Sequence, residues 1–290
     1  MIQTSLQKQD TPAPLIHRRQ LDGISSHYVF HWREKKLEGC YLIKNQLARP
    51  VTPKDGVKQD EILLLPGIFD PVRGEYGEDT ITQLLNSPTT NCVYELHYFS
   101  QEQSGLLNID PLLEDLQFIF SHSSRLKVVG LSAGCVFTAV ALFNLHENHI
   151  KPTLDNVLLL GPHIISYETL FYRWIKRTVS NPEMMAKVTR HAGHAHVPAN
   201  VAIAEDWCAN TDFVKNVRTF PLRKERPGFP VKVEARYFRF DTLSRSGRKR
   251  LHWYFDCPTP EKPLPGLHRG LFRVPESSQI IYDFCTKSNN

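Results

Sequence analysis

The sequence lacks several features that mark specialised classes of protein. Its 290 residues contain no internal repeat and no run of about eighteen apolar residues of the kind that spans a membrane. With 41% hydrophobic and 22% charged residues it is close to the globular average, which disfavours disorder, collagen and coiled coil. We therefore expect a packed globular protein, and its length suits one α/β domain with insertions.

Cysteine is sparse, and no two cysteines are close enough in sequence to form a CxxC pair. A chain of this size can build a core without disulfides, so the pattern predicts buried free thiols. Residues 1–10 (MIQTSLQKQD) lack the basic start and the apolar stretch of a secretion signal, which favours a cytoplasmic protein. The six cysteines are Cys40, Cys92, Cys135, Cys208, Cys257 and Cys285.

Positive charge is concentrated in the C-terminal third. Residues 221–273 contain 13 Lys or Arg and 5 Asp or Glu, whereas the whole chain has a net charge of only +5. Such a region can make peripheral contact with an anionic membrane surface or attract phosphates, although a solvated basic hairpin has the same pattern. We expect no nucleic-acid binding, because no recognisable nucleic-acid-binding module accompanies the charge.

Apolar runs alternate between lengths typical of strands and lengths typical of helices. The first two predicted strands flank a short charged turn. This pattern predicts that the fold opens, at its N-terminal end, with an antiparallel hairpin. The later runs predict a mostly parallel sheet covered by helices on both faces, because parallel neighbours need crossover connections. The predicted strands are 27–32, 40–43, 62–65, 92–99, 126–129 and 156–160, and the predicted helices are 78–85, 108–120 and 133–145.

The regular alternation is interrupted after residue 160. An aromatic and basic helical stretch within 166–190 predicts a small helical cap, inserted at 163–199. We expect residues 1–59 to form N-terminal strands packed on the core sheet, and residues 60–290 to form the main domain. The later predicted elements are strands at 200–204, 231–240 and 250–257, the last two joined by a turn, and a helix at 276–284.

One motif in the sequence indicates a catalytic residue. Residues 130–134 read Gly-Leu-Ser-Ala-Gly, which matches G-x-S-x-G directly after a predicted strand and before a predicted helix. In this context the serine sits on a turn too tight for side chains at the flanking positions, and its hydroxyl projects above the strand ends. The motif therefore predicts that Ser132 is a nucleophile, whereas a serine that only caps the helix is the structural alternative.

A serine nucleophile needs two backbone N–H groups that bind the oxyanion. One belongs to the residue after the nucleophile, which is Ala133. The other comes from the end of an earlier strand, and the segment Pro66-Gly67-Ile68 follows such a strand. Because Gly67 lets the chain turn, the amide of Ile68 is the predicted second donor, and an ordinary Pro-Gly turn is the alternative.

The general base is expected to be a histidine in a loop close to the C-terminus. Of 13 histidines, His268 lies in such a loop, within Gly-Leu-His-Arg-Gly at 266–270 and ahead of the last predicted helix. His252 lies between Leu251 and Trp253 in a strand-like pattern, so we interpret it as structural. His268 is therefore the predicted base.

The acid that orients the histidine is expected between Ser132 and His268, at the end of a core strand. Asp206 follows the strand-like run at 200–204 and is the first choice. Asp212 is the main alternative, although it also suits a helix start, where the dipole favours a carboxylate. Asp241 follows another strand-like run and is the third candidate, so the residues leave the acid open.

These motifs resemble those of the α/β-hydrolases, and the likeness extends from about residue 60 to the C-terminus. It is carried by PGIF at 66–69, GLSAG at 130–134, GLHRG at 266–270 and the Ser-Asp-His order. The resemblance implies an eight-stranded, mostly parallel sheet and a Ser-His-Asp triad that acts on esters, thioesters or related acyl compounds. Pro66 departs from the family pattern, because many such enzymes have histidine at that place.

The predicted function is that of a serine hydrolase whose acyl-enzyme intermediate forms on Ser132. The expected substrate is a small acyl ester or thioester with an apolar acyl part, which can carry an anionic group. Two alternatives remain: a hydrolase-like scaffold that binds without turnover, and an acyltransferase or lyase on the same fold.

Two weaker patterns lie in the predicted cap. His191, His194 and His196 are close enough in sequence to share a metal ion, but no nearby Cys or carboxylate completes the set, and a cap loop explains them. Aromatic residues at 171–174 predict an apolar underside that packs on the sheet or faces an acyl chain. We therefore expect neither a metal nor a cofactor.

Overall fold

A seven-stranded sheet forms the centre of the computed structural model, and helices pack on both of its faces. The strands are β1 (Ile24–Val29), β2 (His31–Trp32), β3 (Lys35–Lys36), β4 (Cys40–Leu47), β5 (Asp60–Leu65), β6 (Thr90–Tyr98), β7 (Leu126–Leu131), β8 (Asn156–Leu160) and β9 (Lys232–Arg236). The helices are α1 (Glu78–Leu85), α2 (Ile109–Ser121), α3 (Ala133–Glu147) and α4 (Pro275–Thr286).

The structure describes part of the chain. The longer ranges are 23–49, 59–67, 78–98, 107–162, 231–238, 254–258 and 275–287. Shorter pieces are 177, 181, 183, 200, 203–204, 206–207, 212, 251–252 and 264.

Five neighbouring strands of the sheet are parallel. The order of strands is β1-β4-β6-β5-β7-β8-β9, with β4 antiparallel to both of its neighbours and the remaining pairs parallel. Strands β2 and β3 form a separate two-stranded hairpin between β1 and β4. A parallel bridge between Phe238 and Leu264 continues the sheet beyond β9. The predicted opening hairpin and the predicted α/β sheet are confirmed.

The parallel strands end level with one another. Leu65 pairs with Gly130, Leu131 pairs with Leu160, and Leu160 pairs with Arg236, so the last residues of β5, β7, β8 and β9 are neighbours. We call this side of the sheet the carboxyl edge and the opposite side the amino edge. In α/β sheets ligands bind beyond the carboxyl ends of the strands, so the carboxyl edge is where a site is expected.

The core consists of two apolar layers, one on each face of the sheet. Helices α2 and α3 pack together on one face, and α1 and α4 pack together on the other. Apolar side chains of α3 are buried on every side of the helix, as its sequence predicts, because the sheet and α2 enclose it. Within the described ranges, no helix is both long enough and apolar enough to cross a membrane.

A buried lysine fixes the end of α4 at the amino edge. Lys127 is only 1% exposed, and its Nζ lies 2.9 Å from Oδ2 of Asp60. The same ammonium donates to the carbonyl oxygens of Cys285 at 2.7 Å and Lys287 at 2.9 Å. A cation at a helix C-terminus satisfies carbonyls that have no intrahelical donor. Helix α4 therefore runs towards the amino edge and begins towards the carboxyl edge.

Most predicted elements are confirmed, and two predicted strands are wrong. In the predicted strand 200–204, the described residues Asn200, Ile203 and Ala204 have helical backbone. In the predicted strand 250–257, residues 251–252 and 254 are helical, and 255–256 form a turn. Strand β9 pairs in parallel with β8, and the second strand of the predicted hairpin is helical instead.

Both errors have the same physical cause. A short apolar run does not distinguish a strand from one or two turns of helix. Leu251, Tyr254 and Phe255 have the i, i+3, i+4 spacing that brings side chains to one helix face, and each is only 2% exposed. Ile203, Ala204 and Trp207 likewise lie on one side of their helical segment and pack against the core.

Candidate active site

Ser132 is the single residue between β7 and α3, and its backbone is strained. Its φ is +51° and its ψ is −111°, a conformation that L-residues rarely adopt. The N–H of Ser132 donates to the carbonyl of Leu160 at 3.0 Å, and the carbonyl of Ser132 accepts from the N–H of Cys135 at 3.1 Å. These two hydrogen bonds hold the turn at the carboxyl edge. The strained strand-turn-helix bend that the motif predicts is therefore confirmed.

The structural alternative for Ser132 was a helix cap, and the geometry does not support it. The side chain of a capping serine accepts a hydrogen bond from an N–H in the first turn of the helix. The Ser132 side chain makes no such hydrogen bond to α3. The side chain is half-buried, between the buried residues Leu131 and Ala133. The strain at Ser132 is thus not explained by helix capping.

The two glycines of the motif allow the backbones around Ser132 to approach closely. A Cβ at Gly134 would lie 2.5 Å from the carbonyl oxygen of Leu65 and 2.8 Å from that of Pro66. A Cβ at Gly130 would lie 3.0 Å from the carbonyl oxygen of Gly134. Gly134 therefore lets the first turn of α3 pack directly on the end of β5, and Gly130 lets β7 approach the same turn.

This packing places two candidate oxyanion-binding segments side by side. Ala133 is the first residue of α3, where N–H groups have no intrahelical acceptor and the helix dipole is positive. The end of β5 lies beside it, because Leu65 pairs with Gly130 and both Pro66 and Gly67 are buried. Ile68, the other predicted donor, lies outside the described residues.

The described cysteines do not provide an alternative nucleophile. All five are buried free thiols, as predicted, and Cys135, in the first turn of α3, donates to the carbonyl of Gly130. Burial is the largest cause that raises the pKa of the thiols of Cys92, Cys257 and Cys285 from 9.0 to about 12. A thiol with such a pKa is protonated at neutral pH and is a poor nucleophile.

The thiols provide a direct test of the packing. We expect the native protein at pH 7 to react with Ellman's reagent at no more than one thiol, because five of the six cysteines are buried. The sixth, Cys208, lies outside the described residues. In guanidinium chloride all six should react. Two or more thiols that react rapidly in the native protein would contradict the burial described above.

The three acid candidates differ in their position relative to the sheet. Asp206 lies in helical backbone and is half-buried, so the strand that made it the first choice is not there. The neighbouring Trp207 packs on Phe137 of α3, with ring centroids 5.5 Å apart. Asp212 also has helical backbone and is exposed. Asp241 lies outside the described residues.

Of the two histidines that the sequence analysis considered, the structure describes only His252. Nδ1 of His252 lies 3.2 Å from the carbonyl oxygen of Cys257, and its ring lies 5.3 Å from that of Tyr237. These contacts agree with the structural interpretation of His252. His268, the predicted base, lies outside the described residues, so its distance from Ser132 stays a prediction.

Most of the predicted cap lies outside the described residues. Of residues 163–199, only Arg177, Asn181 and Glu183 are described, and the histidine cluster at 191–196 lies outside the described residues. Among the residues that the structure does describe, no group of His, Cys, Asp and Glu could hold a metal ion.

We compared the chain with known proteins by sequence and by structure, and only the structures match. No model of a protein family matches the sequence, and no curated protein matches it either. Solved structures match over most of the chain. A hyperthermophilic esterase from the archaeon Pyrobaculum calidifontis covers 93% of this chain and 82% of its own, with TM-score 0.54 and 14% identity. A bacterial heroin esterase covers 93% of this chain and 85% of its own, with TM-score 0.55 and 13% identity.

A third matching structure is a deformylase and not an esterase. N-Formylmaleamic acid deformylase from Pseudomonas putida S16 covers 90% of this chain and 100% of its own, with TM-score 0.53 and 12% identity. At these identities the likeness concerns the fold alone. The chain therefore has the α/β-hydrolase fold that its motifs predict.

Proposed function

We propose that this chain is a serine hydrolase that cleaves a carboxylic ester or an acyl thioester through an acyl-enzyme intermediate. The observation that carries the proposal is the strained turn at Ser132, at the carboxyl edge and directly beside the end of β5. A side chain held in such a conformation without capping its helix is typical of a nucleophile elbow. The esterases among the matching structures support the ester as substrate class.

In the proposed reaction Ser132 Oγ attacks the acyl carbonyl while His268 removes its proton. The tetrahedral intermediate carries its negative charge on the former carbonyl oxygen, where the amides of Ala133 and Ile68 would bind it. His268 then protonates the leaving alcohol or thiol, and the acyl group remains on Ser132. Water, deprotonated by the same histidine, then attacks the acyl carbon. The bond between that carbon and Ser132 Oγ breaks, Ser132 takes the proton back from His268, and the carboxylic acid is released.

The path of the chain around His268 supports its role as the base. Leu264, four positions earlier in the sequence, bridges Phe238 beyond β9 at the carboxyl edge. After His268 the chain continues to α4, which begins towards the carboxyl edge because Lys127 fixes its C-terminus at the amino edge. Both flanking elements thus favour a position for His268 on the same side of the sheet as Ser132.

The sheet topology favours Asp241 over Asp206 as the acid. Asp241 follows β9 by five positions and Phe238 by three, so it comes next after a parallel strand on the carboxyl edge. Because Phe238 and Leu264 are paired in parallel, the segments that follow them begin side by side at the carboxyl edge. Those segments contain Asp241 and His268, respectively. Asp206 and Asp212 follow no strand in the described residues. We therefore propose the triad Ser132, His268 and Asp241.

A fluorophosphonate probe tests the proposal without a known substrate. We expect the native protein to become labelled with one probe per chain, and peptide mass spectrometry to locate the label on Ser132. Heat-unfolded protein is the control, because the nucleophile depends on the folded site. Label on another residue, or none at all on protein that is folded by circular dichroism, would overturn the proposed mechanism.

The close packing of Gly134 provides a second test. In Gly134→Ala the new Cβ would clash with the backbone carbonyls of Leu65 and Pro66, so α3 and the end of β5 must separate. We expect a loss of about 1–3 kcal/mol in the free energy of unfolding and a fall of about 100-fold in ester hydrolysis.

Gly130→Ala is the matched control for this substitution. Its Cβ would meet neighbouring atoms at 3.0 to 3.1 Å, which requires a much smaller displacement. Its effects on unfolding and on hydrolysis should therefore be smaller. Equal effects of the two substitutions, or none from Gly134→Ala, would show that the contact with β5 is not critical.

A further inference from the structure

We infer that Tyr98 is a positioning residue for the segment Pro66-Gly67-Ile68, which follows β5 and which we call the oxyanion-binding turn. This inference rests on the proposed function. Tyr98 is the last residue of β6, and its hydroxyl donates a hydrogen bond of 2.5 Å to the carbonyl oxygen of Pro66. No motif in the sequence indicates this contact, because it joins the ends of two strands that are 32 residues apart in the chain.

The hydroxyl restricts the peptide that precedes the predicted donor. A peptide group is planar, so a hydrogen bond to the Pro66 carbonyl also orients the N–H of Gly67. Between this plane and the amide of Ile68 only two dihedral angles remain, the φ and ψ of Gly67. Glycine has a wider range of these angles than any other residue, so an anchor on the preceding peptide limits where the Ile68 amide can point.

The same short segment is held from a second direction. The backbone of α3 at Gly134 packs against the carbonyls of Leu65 and Pro66, as the Cβ distances of 2.5 and 2.8 Å show. This contact prevents the turn from moving towards α3. The hydrogen bond from Tyr98 is directional, so it also restrains rotation of the Pro66 carbonyl about the strand axis.

The ring of Tyr98 is itself held by an aromatic contact. It packs edge-on against Phe137 of α3 at a centroid distance of 5.4 Å, and Phe137 contacts Trp207 at 5.5 Å. Aromatic pairs prefer offset or edge-on geometry, and such a pair contributes about 0.5–1.5 kcal/mol beyond the area that it buries. The three rings therefore connect the helical segment around Trp207 to the oxyanion-binding turn, and they keep the Tyr98 hydroxyl directed at Pro66.

Tyr98→Phe removes the hydroxyl and keeps the ring. We expect kcat for p-nitrophenyl acetate to fall about tenfold and KM to change less than about twofold, because the oxyanion forms only after the substrate has bound. Binding of a trifluoromethyl ketone, which places an oxyanion at the same site, should weaken by a similar factor of about ten.

Tyr94→Phe is the matched control. Tyr94 lies on the same strand and the same face, and its hydroxyl contacts Oε1 of Glu61 at 3.4 Å, away from the carboxyl edge. Both variants lose one tyrosine hydroxyl from β6, so their unfolding temperatures should be similar. Only Tyr98→Phe should lower kcat and weaken the binding of the ketone.

The outcomes separate this inference from the proposed function. If the wild-type protein hydrolyses the ester and Tyr98→Phe has unchanged kcat and ketone affinity, the inference is wrong and the proposed function stands. If both tyrosine variants lose kcat equally, the effect is one of general stability, and the inference is again wrong. If the wild-type protein neither hydrolyses esters nor reacts with the fluorophosphonate probe, the proposed function fails, and the role of Tyr98 fails with it.

Discussion

Ser132→Ala is expected to lower ester hydrolysis by at least about 10⁴-fold, because it removes the atom that forms the covalent intermediate. Substrate binding and the amides that bind the oxyanion remain, so a small residual rate above that of water is expected. The rate is measured with p-nitrophenyl esters, and labelling by the fluorophosphonate probe should disappear in parallel. The variant should fold normally, since the substitution removes one oxygen atom and no capping hydrogen bond to α3.

Ser121→Ala is a matched control for the loss of a serine hydroxyl. Ser121 ends α2, and its hydroxyl donates to the carbonyl oxygen of Gln117 at 2.7 Å. This variant should keep full activity. An active Ser132→Ala protein would contradict the proposed nucleophile, whatever its stability.

The strain at Ser132 also has a measurable effect on stability. A strained backbone conformation costs about 1–3 kcal/mol, whereas glycine in place of alanine adds a cost of about 0.5–1 kcal/mol in chain entropy. Because φ is +51° at this position, relief of strain should exceed the entropy cost. Ser132→Gly should therefore unfold at a higher temperature than Ser132→Ala. The opposite order would mean that the surrounding structure relaxes the strain at little cost.

Asp241→Asn is expected to lower kcat by about 10⁴-fold, because an amide in place of the acid favours the wrong tautomer of the histidine. Asp206→Asn and Asp212→Asn should change the rate by less than about threefold, since a carboxylate that does not touch the base acts only through a screened field. All three variants replace a carboxylate with an isosteric amide. The comparison therefore isolates the position of the acid from the loss of one negative charge.

The opposite result has a clear meaning. If Asp206→Asn abolishes the reaction and Asp241→Asn does not, then the helical segment around Trp207, and not the end of β9, supplies the acid. Equal and small effects of all three substitutions would show that the histidine is oriented without a carboxylate from this set.

The secondary structure near Ser132 could be predicted because its causes are local. An apolar strand, two glycines around one serine and an apolar helix are adjacent in sequence, so the pattern 126–145 contains everything that the bend requires. The predicted strands at 200–204 and 250–257 are wrong, because a short apolar run suits a helix as well as a strand. Their conformation depends on which side chains meet the core, and spacing within a few residues does not decide that.

The sequence by itself determined the order of strands and helices as far as β8, the α/β class and the position of Ser132 between a buried strand and a buried helix. Only the tertiary structure decided which strand ends are neighbours. Parallel pairing brings Leu65 beside Gly130 and Phe238 beside Leu264, although each pair is separated by many residues. The preference for Asp241 follows from the second of these pairs, and the hydrogen bond between Tyr98 and Pro66 follows from the parallel pairing of β5 with β6. Such contacts come from the packing of distant segments on a common sheet, which no local pattern of residues encodes.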